Sequence, residues 1–362
     1  MQAITKLFGH LDPRDQNARH DFCELLFIAL AAGLCGAKNC TDFARFARAK
    51  EPMLREVLTL AHGIPSHDTF STLFRKLDCK AFGEAFVTFA RGLATAAAGH
   101  HIAIDGKSMR GAFEAGRRHA PRMMVTAWGR EVRMSLAAVP APYGSEAKAA
   151  FELLGLLDIE GATITADAAH CSRSMAEAIT KRGGHYVLAL KGNQGPLHAD
   201  AKALAARIRT PDTARAQTHE VAHGRIETRT ARVIAARGLG RSHGFPGLVA
   251  IGEITRVRVV NGRQSCETWH FVLSRAISAR RLLEVVRGHW DIENGLHWTL
   301  DVIFDEDACR TRKDHGPENL ALLRRITINT FRADKKKETM RGKMMLAGWD
   351  DSYLCHLMTQ MR

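Results

Sequence analysis

Several patterns are scarce or missing in this chain, and each absence removes an explanation. Its eight cysteines (Cys23, Cys35, Cys40, Cys79, Cys171, Cys266, Cys309 and Cys355) include no C-x-x-C pair. Zinc ribbons and thioredoxin-type redox motifs are therefore excluded, and the thiols read as reduced, as in a cytoplasmic protein. The longest apolar run, Leu25 to Cys35, is too short to cross a bilayer and reads as a buried helix. No leader pattern opens the chain, so no membrane partner is expected. No internal repeat or low-complexity segment interrupts it. Acidic residues are the short side of the charge balance, 38 against 52 Lys and Arg, a formal net charge of +14. That excess points to a polyanionic partner, most often nucleic acid. With 362 residues, 46% of them hydrophobic and 25% charged, the chain is long enough for two or three globular domains.

Residues 1 to about 97 read as helices only. An apolar helix spans Phe22 to Cys35, with Gly36 as its C-cap. Thr41 is placed to cap a second helix through Ala49, Pro52 to open a third, and Ser66 to cap a fourth. The turn from Gly63 to Asp68 is compatible with a helix-turn-helix, with a plain helical bundle slightly favoured. Residues 82–98 form the last helix before the pattern changes.

From His101 the period becomes that of strands. HIAID (101–105) reads as a buried strand that ends in a turn at Gly106, with Asp105 at its rim. Residues 123–139 read as a hairpin about Gly129-Arg130. A helix (146–157), a strand ATITAD (162–167), a helix (172–184) and a strand (185–193) follow. This order predicts a mixed α/β sheet whose first and fourth strands lie side by side. Residues 195 to about 275 are β-rich after a short helix near 198–208. One strand is predicted over 218–234, and a hairpin about Asn261-Gly262. Helices resume at Ser278 and again over 317–332, before a basic tail with Lys335-Lys336-Lys337 and a short terminal helix.

Asp105 and Asp167 each end a strand of the predicted sheet. If those strands are parallel neighbours, both carboxylates emerge at one edge and repel unless a cation lies between them. Mg²⁺, or Mn²⁺ in its place, is the natural partner for such oxygen ligands. Glu293, in HWDIENGLHW, is the candidate third acid, with His297 four residues on and His289 a turn earlier. Asp291, Asp301 and the cluster Asp305-Glu306-Asp307 are its rivals.

The segments GIPSHDTF (63–70), AIDGKSMRGA (103–112), ITADAAHC (164–171), YVLALKGNQG (186–195), HGRIETR (223–229), HWDIENGLHWTLDVIFDEDACR (289–310) and PENLALLRRI (317–326) resemble bacterial insertion-sequence transposases of the DDE type. Among these the chain is most similar to the ISAs1, or H-repeat-associated, family, from LDPR (11–14) almost to its C-terminus. The resemblance implies an RNase H-like mixed-sheet catalytic core (98–332) with a β-rich insertion at about 195–275. A helical N-terminal DNA-binding domain (1–97) would precede it and a basic tail (333–362) follow. Asp105, Asp167 and Glu293 would be the metal-binding catalytic triad.

The implied partners are double-stranded DNA, as terminal inverted repeats and as target, and a second copy in the synaptic complex. The implied compartment is the bacterial cytoplasm. Where the family tends toward an Asp-Glu-Lys-Ser-Asn-Glu-like run, residues 141–146 read Ala-Pro-Tyr-Gly-Ser-Glu; Glu146 keeps the last acid and Tyr143 replaces the Lys. Leu300 stands seven residues after Glu293, so a hairpin route of cleavage does not follow.

The candidate DNA contacts are Lys107 and Arg110 beside Asp105, and Lys191, Asn193 and Gln194 after a strand at the same edge. His223 and Arg225 are candidates in the insertion, and His289, Asn294 and His297 around Glu293. Trp290 and Trp298 read as core residues by default, with base stacking as the alternative. Cys171 reads as a packing residue, and Arg324 and Arg325 as backbone contacts or solvent-facing charges. Two other functions compete with transposition: a DNA-binding remnant without cleavage activity, and a two-metal nuclease without end recognition.

Overall fold

The computed structural model describes residues 1–362 apart from 94–99, 114–119, 143–144, 210, 212–213, 223 and 361–362. Tyr143 and His223 therefore lie outside the described residues. The N-terminal part is helical: α1 (Gln2–Phe8), α2 (Phe22–Leu34), α3 (Cys40–Ala49), α4 (Glu51–Val57), α5 (His67–Lys76) and α6 (Cys79–Leu93). Side-chain oxygens set the helix starts. Asp21 accepts the amide of Glu24 and Ser66 that of Thr69. Asn39, and not Thr41, caps α3, accepting the amide of Asp42. Asn39 stands in extended backbone immediately before Cys40, where an acceptor meets the free amides of the first turn.

A nine-stranded mixed sheet follows, in the order β3-β2-β1-β4-β5-β9-β8-β7-β6. Its strands are β1 (His101–Phe113), β2 (Pro121–Gly129), β3 (Met134–Ala141), β4 (Thr163–Ala166), β5 (His185–Leu190), β6 (Ala216–Ala222), β7 (Arg225–Ala235), β8 (Ala250–Val260) and β9 (Arg263–Leu273). The connecting helices are α7 (Glu146–Gly155), α8 (Arg173–Lys181), α9 (Gly195–Arg207) and α10 (Leu239–Ser242). The chain closes with α11 (Ala279–His289), α12 (Trp298–Val302), α13 (Gly316–Ala333), α14 (Met340–Trp349) and α15 (Asp351–Thr359).

The first and fourth strands are parallel neighbours, as expected. Two expectations fail. β1 does not stop at Gly106 but runs on to Phe113, because β2 keeps pairing with it antiparallel past the point where β4 ends. The single strand expected over 218–234 is two, β6 and β7, folded about Gly224, whose φ of +71° suits only glycine without strain. The expected β-rich insertion joins the central sheet. β9 pairs antiparallel with β5, so the insertion extends the central sheet by four strands.

The core lies on both faces of the sheet. On one face Ile102, Ile104, Val125 and Ala127 pack with α7, α8 and α9 residues such as Leu153, Ile179 and Leu197. On the other, Ala103, Met124 and Trp128 join a cluster that holds α13, the N-terminal helices and α15 together. Successive strand residues point to opposite faces, which is why alternate β1 residues enter different clusters. α13 is buried along its length, from Gly316 to Phe331, and Asn319 donates to the carbonyls of Phe74 and Leu77 at the end of α5. Among the described residues, no helix is long and apolar enough to cross a membrane.

Candidate active site

β1 and β4 run in register from His101–Thr163 to Ile104–Ala166, and the next residue on each is an aspartate. Asp105 and Asp167 therefore leave one edge of two adjacent parallel strands, about 4.8 Å apart in the sheet. Asp105 is half-buried, and one of its oxygens accepts the amide of Gly106 at 2.9 Å. Asp167 is exposed. It accepts the amide of Ala169 at 3.0 Å and so fixes the turn Ala168–His170.

Glu146, the first residue of α7, is a further acid here. Its carboxylate lies against Gly106, where any side chain would collide with it and, at 2.9 Å, with the Met123 sulfur. Burial pushes the Asp105 carboxyl up to about 7; the charges of Asp167, Glu293 and Glu146 add to this, and the Gly106 amide opposes it.

His170 is buried with its Nε2 3.4 Å from Glu146 and 3.9 Å from Asp167. Burial works against its protonation, but Glu146, Asp167 and Asp105 outweigh it, and its pKa is raised. Glu146 is correspondingly pulled down, mainly by its contact with His170. The pair is a histidine–carboxylate contact beside the two aspartates.

The third acid arrives on an irregular helix. After α11 the chain makes a π turn over Glu293–His297, in which the amide of Trp298 donates to the Glu293 carbonyl. Glu293 is exposed. With Asp167, Lys191, Trp269, His289 and Trp290 it lines a cleft of about 320 Å³. His297 places Nδ1 3.7 Å from Asp105. Burial, with the charges of Arg325, Lys107 and His289, lowers its pKa to about 3, so this contact is neutral imidazole to carboxyl rather than an ion pair. His289 Nδ1 lies 3.1 Å from the Thr165 hydroxyl, which is 2.7 Å from His101 Nε2. Burial holds these two imidazoles neutral as well, at about 4 and about 3.

Among the described residues, no three His, Cys, Asp or Glu side chains stand together closely enough to form a ready-made metal cage. The donor chemistry nevertheless suits a hard cation: the acids are carboxylates, and the half-buried Asp105 is disfavoured as an anion by the other three.

Other expected contacts land differently. Lys107 does not face the cleft. Its buried ammonium lies 2.7 Å from Asp301, 3.1 Å from Asp307 and 3.7 Å from Glu306, and so ties β1 to α12 and the segment that follows it. Arg110 is exposed and 3.4 Å from Asp307. Asn193 donates to the carbonyls of Ala168 and Cys171, and Gln194 to that of Cys171, so both amides brace the turn after Asp167. Lys191 stays exposed at the cleft. Arg225 is exposed at the outer end of β7, and Asn294 lines a separate cavity with Trp298 and Arg332.

Arg324 and Arg325 neither reach solvent nor lie free for DNA. They are buried about Glu306, at 3.6 and 3.5 Å. Trp290 and Trp298, read as core, are 40% and 54% exposed. Cys171 is the expected packing residue, its thiol pushed up to about 12 by burial. All eight cysteines are free.

The sequence reading passed over two features. Glu146 was visible only as an acid at the end of 141–146, since its place beside Asp105 depends on α7 folding back on β1. An H-E-x-x-H spacing also occurs, at His219 to His223. It begins on a strand, β6, and not on the helix that would put both imidazoles on one face.

Two aspartates leaving neighbouring parallel strands, with a glutamate on a later helix, define the arrangement of DDE enzymes. The comparisons with known proteins give the family. Residues 97–330 match the family model described as Transposase DDE domain, and residues 7–90 match the DDE_Tnp_1-associated model. The chain belongs to the DDE transposase family, whose members cleave phosphodiesters.

Within it, the chain is the transposase of an insertion sequence, of the H-repeat-associated kind. It is 30% identical over 370 residues to the protein YbfL of Escherichia coli K12. It is 29% identical over the same length to "H repeat-associated putative transposase YhhI" of that strain; each alignment covers 98% of both chains. Among solved structures, a piggyBac transposase synaptic complex with hairpin DNA aligns over all of this chain and 79% of its own. Its TM-score is 0.47, with 12% identity.

Proposed function

We propose that Asp105, Asp167 and Glu293 together hold the divalent metal of this transposase, Mg²⁺ with Mn²⁺ able to replace it, at the edge of an RNase H-like core. The observation that supports this most is positional. Asp105 and Asp167 directly follow the last residues that pair β1 with β4, and Glu293 is near enough for its charge to raise the Asp105 pKa. Bound ions would supply the positive charge that stabilises the attacking and leaving oxygens of a phosphodiester displacement.

The chain's own residues do the remaining work. Asp105 must lose its proton to serve as a ligand. His170, whose protonation Glu146 and Asp167 favour, lies between these acids and limits their repulsion. His289, neutral and lining the cleft, is the imidazole proposed to meet a phosphate oxygen without adding a fixed cation, with Thr165 setting its ring, while the buried His297 stands against Asp105. Lys191, Arg110, Arg225 and Asn294 are the exposed contacts proposed for DNA.

In the first reaction a water oxygen attacks phosphorus and the bond to the 3′-oxygen breaks. A free 3′-OH and a 5′-phosphate result. In the second, that 3′-OH attacks a phosphodiester of target DNA and expels the target's own 3′-oxygen. The helical unit 1–97, the insertion near 195–275 and the basic tail 333–362 would bind DNA around the catalytic unit 98–332, in the bacterial cytoplasm. A homodimer would hold two terminal inverted repeats. Affinity from phosphates would fall steeply with salt.

The test is Mg²⁺-dependent nicking of a duplex carrying the element's terminal repeat, set beside a scrambled duplex. Wild type should cut only the repeat, and Asp167→Asn should bind it without cutting. Equal cutting of both duplexes would favour a general nuclease. Binding by wild type with no cutting under either ion would favour a DNA-binding remnant.

A further inference from the structure

The π turn that carries Glu293 is held from outside its own helix. The Gly295 carbonyl, at the middle of the turn, accepts the Arg332 guanidinium at 2.7 Å and the Thr299 hydroxyl at 2.6 Å. Arg332, in the last turn of α13, also donates to the Arg133 carbonyl between β2 and β3. Its guanidinium lies over the Trp128 ring, 4.5 Å from the centroid. Gly295 rests on the same ring. A Cβ there would stand 3.2 Å from Trp128 Cζ2, and Trp128 is fully buried, with no room to give way.

Trp128 leads back to the acids. It pairs with Ala103, two residues before Asp105, and Thr126 pairs with Asp105 itself. α13 grips that second position too, since Arg325 Nε donates to the Thr126 hydroxyl at 3.1 Å. Arg325 and Arg332 are two helical turns apart and share a face of α13. One helix face therefore holds the strand beside Asp105 and, through Gly295, the turn that bears Glu293 and His297.

Two arguments give Arg332 more than a packing role. A π turn is a rare departure from α-geometry, and a rare conformation persists where its surroundings over-determine it. Relaxing this one to α-geometry would turn Glu293 by about 100° relative to Leu296 and Leu300, which are fixed in the core. Secondly, among the described residues no carboxylate lies within ion-pair distance of Arg332, and its Nε is buried without a partner. An unpaired, half-buried cation is costly. Its neighbours are instead two carbonyls and a ring face, a set that suits the planar fork of arginine and not an ammonium. Arg332 lines the separate cavity with Asn294 and Trp298, and not the catalytic cleft.

We infer that Arg332 is a positioning residue for the third acid: seated on Trp128, it holds the π turn by the Gly295 carbonyl and so sets where Glu293 stands relative to Asp105. The inference rests on the reading of Glu293 as a metal ligand.

The experiment compares full-length wild type with Arg332→Lys, Arg332→Ala, Gly295→Ala and Glu293→Gln. Gly295→Ala keeps Arg332 but lifts the turn from Trp128, so it tests the clamp even where an Arg332 variant folds poorly. Nicking of bound terminal-repeat duplex gives turnover, and titration gives Kd. Amide hydrogen exchange over residues 293–302, without metal or DNA, reports the turn itself. The Arg332 and Gly295 variants should each lose roughly tenfold or more in turnover. Their Kd should stay within about twofold of wild type, and faster exchange should be confined to that segment. Millimolar guanidinium ion should restore most of the turnover of Arg332→Ala, whose vacated place opens on a cavity, and none of that of Gly295→Ala. Wild-type turnover in Arg332→Lys and Gly295→Ala overturns the inference, whether or not exchange changes. Lost DNA affinity with unchanged exchange overturns it too, and marks Arg332 as a DNA contact. If Glu293→Gln cuts as well as wild type, or wild type itself never cuts, the metal-ligand reading and the inference both fall. If Glu293→Gln is inactive while the Arg332 and Gly295 variants cut normally, the inference alone falls.

Discussion

His297 Nδ1 stands 3.7 Å from Asp105, and the Glu146 carboxylate lies against the next residue, Gly106. A π turn and the start of α7 thus both bring side chains to this stretch of β1. This packing strips water from Asp105, which is why its carboxyl is pushed up to about 7.

This shift fixes a pH dependence. The folded pKa of Asp105 lies above its unfolded value of 3.8, so the native state binds the extra proton between those values. Without metal, the stability that this proton provides is full below pH 3.8 and is lost as pH rises through about 7. Thermal unfolding of the metal-free chain at pH 8 should therefore occur a few degrees higher in Asp105→Asn than in wild type. The gap should close near pH 4. Metal affinity should rise over the same interval, since the ligand must be ionised.

Lys107 is a strut. Replacing it with Met leaves Asp301, Glu306 and Asp307 without their shared cation. Chemical denaturation should report a loss of about 3–5 kcal/mol, as when one partner of a buried ion pair is removed. DNA affinity of the folded variant should stay within about twofold of wild type, because the ammonium does not face the cleft. A selective loss of DNA binding with unchanged stability would place Lys107 on DNA after all.

Asn193 separates bracing from contact in the same way. Its amide holds the carbonyls of Ala168 and Cys171, next to Asp167. In Asn193→Ala the turnover of bound DNA should fall roughly tenfold or more while Kd changes little, as expected for misplacement of a reacting group. A change in Kd alone would instead mark a direct DNA contact.

Glu146→Gln removes the carboxylate that raises the His170 pKa. The His170 pKa should fall, visible as a shift of its imidazole NMR titration toward lower pH. Cleavage should weaken by about tenfold or more with DNA binding preserved. An unmoved His170 titration would remove the pair from the account.

Much of the sheet was legible in the sequence, because β-branched runs ending in Asp105 and Asp167 depend on local pattern alone. The hairpin about Asn261-Gly262 was legible for the same reason, and both residues take positive φ. Lys107 was not, since its acid partners lie near residue 300 and nothing local pairs it with them. Trp290 and Trp298 were read as core on helical period, which the π turn at Glu293 interrupts. Asn193 and Gln194 were rightly placed near the acids, but the carbonyls they hold belong to a different loop.

The central claim is that Asp105, Asp167 and Glu293 are metal ligands. The most direct measurement is nicking of a terminal-repeat duplex by Asp167→Cys in Mg²⁺ and then in Mn²⁺, which tolerates a thiolate better. The account predicts a loss of roughly 10³-fold or more in Mg²⁺, with substantial recovery in Mn²⁺. Cleavage by Asp167→Cys in Mg²⁺ at the wild-type rate would contradict it.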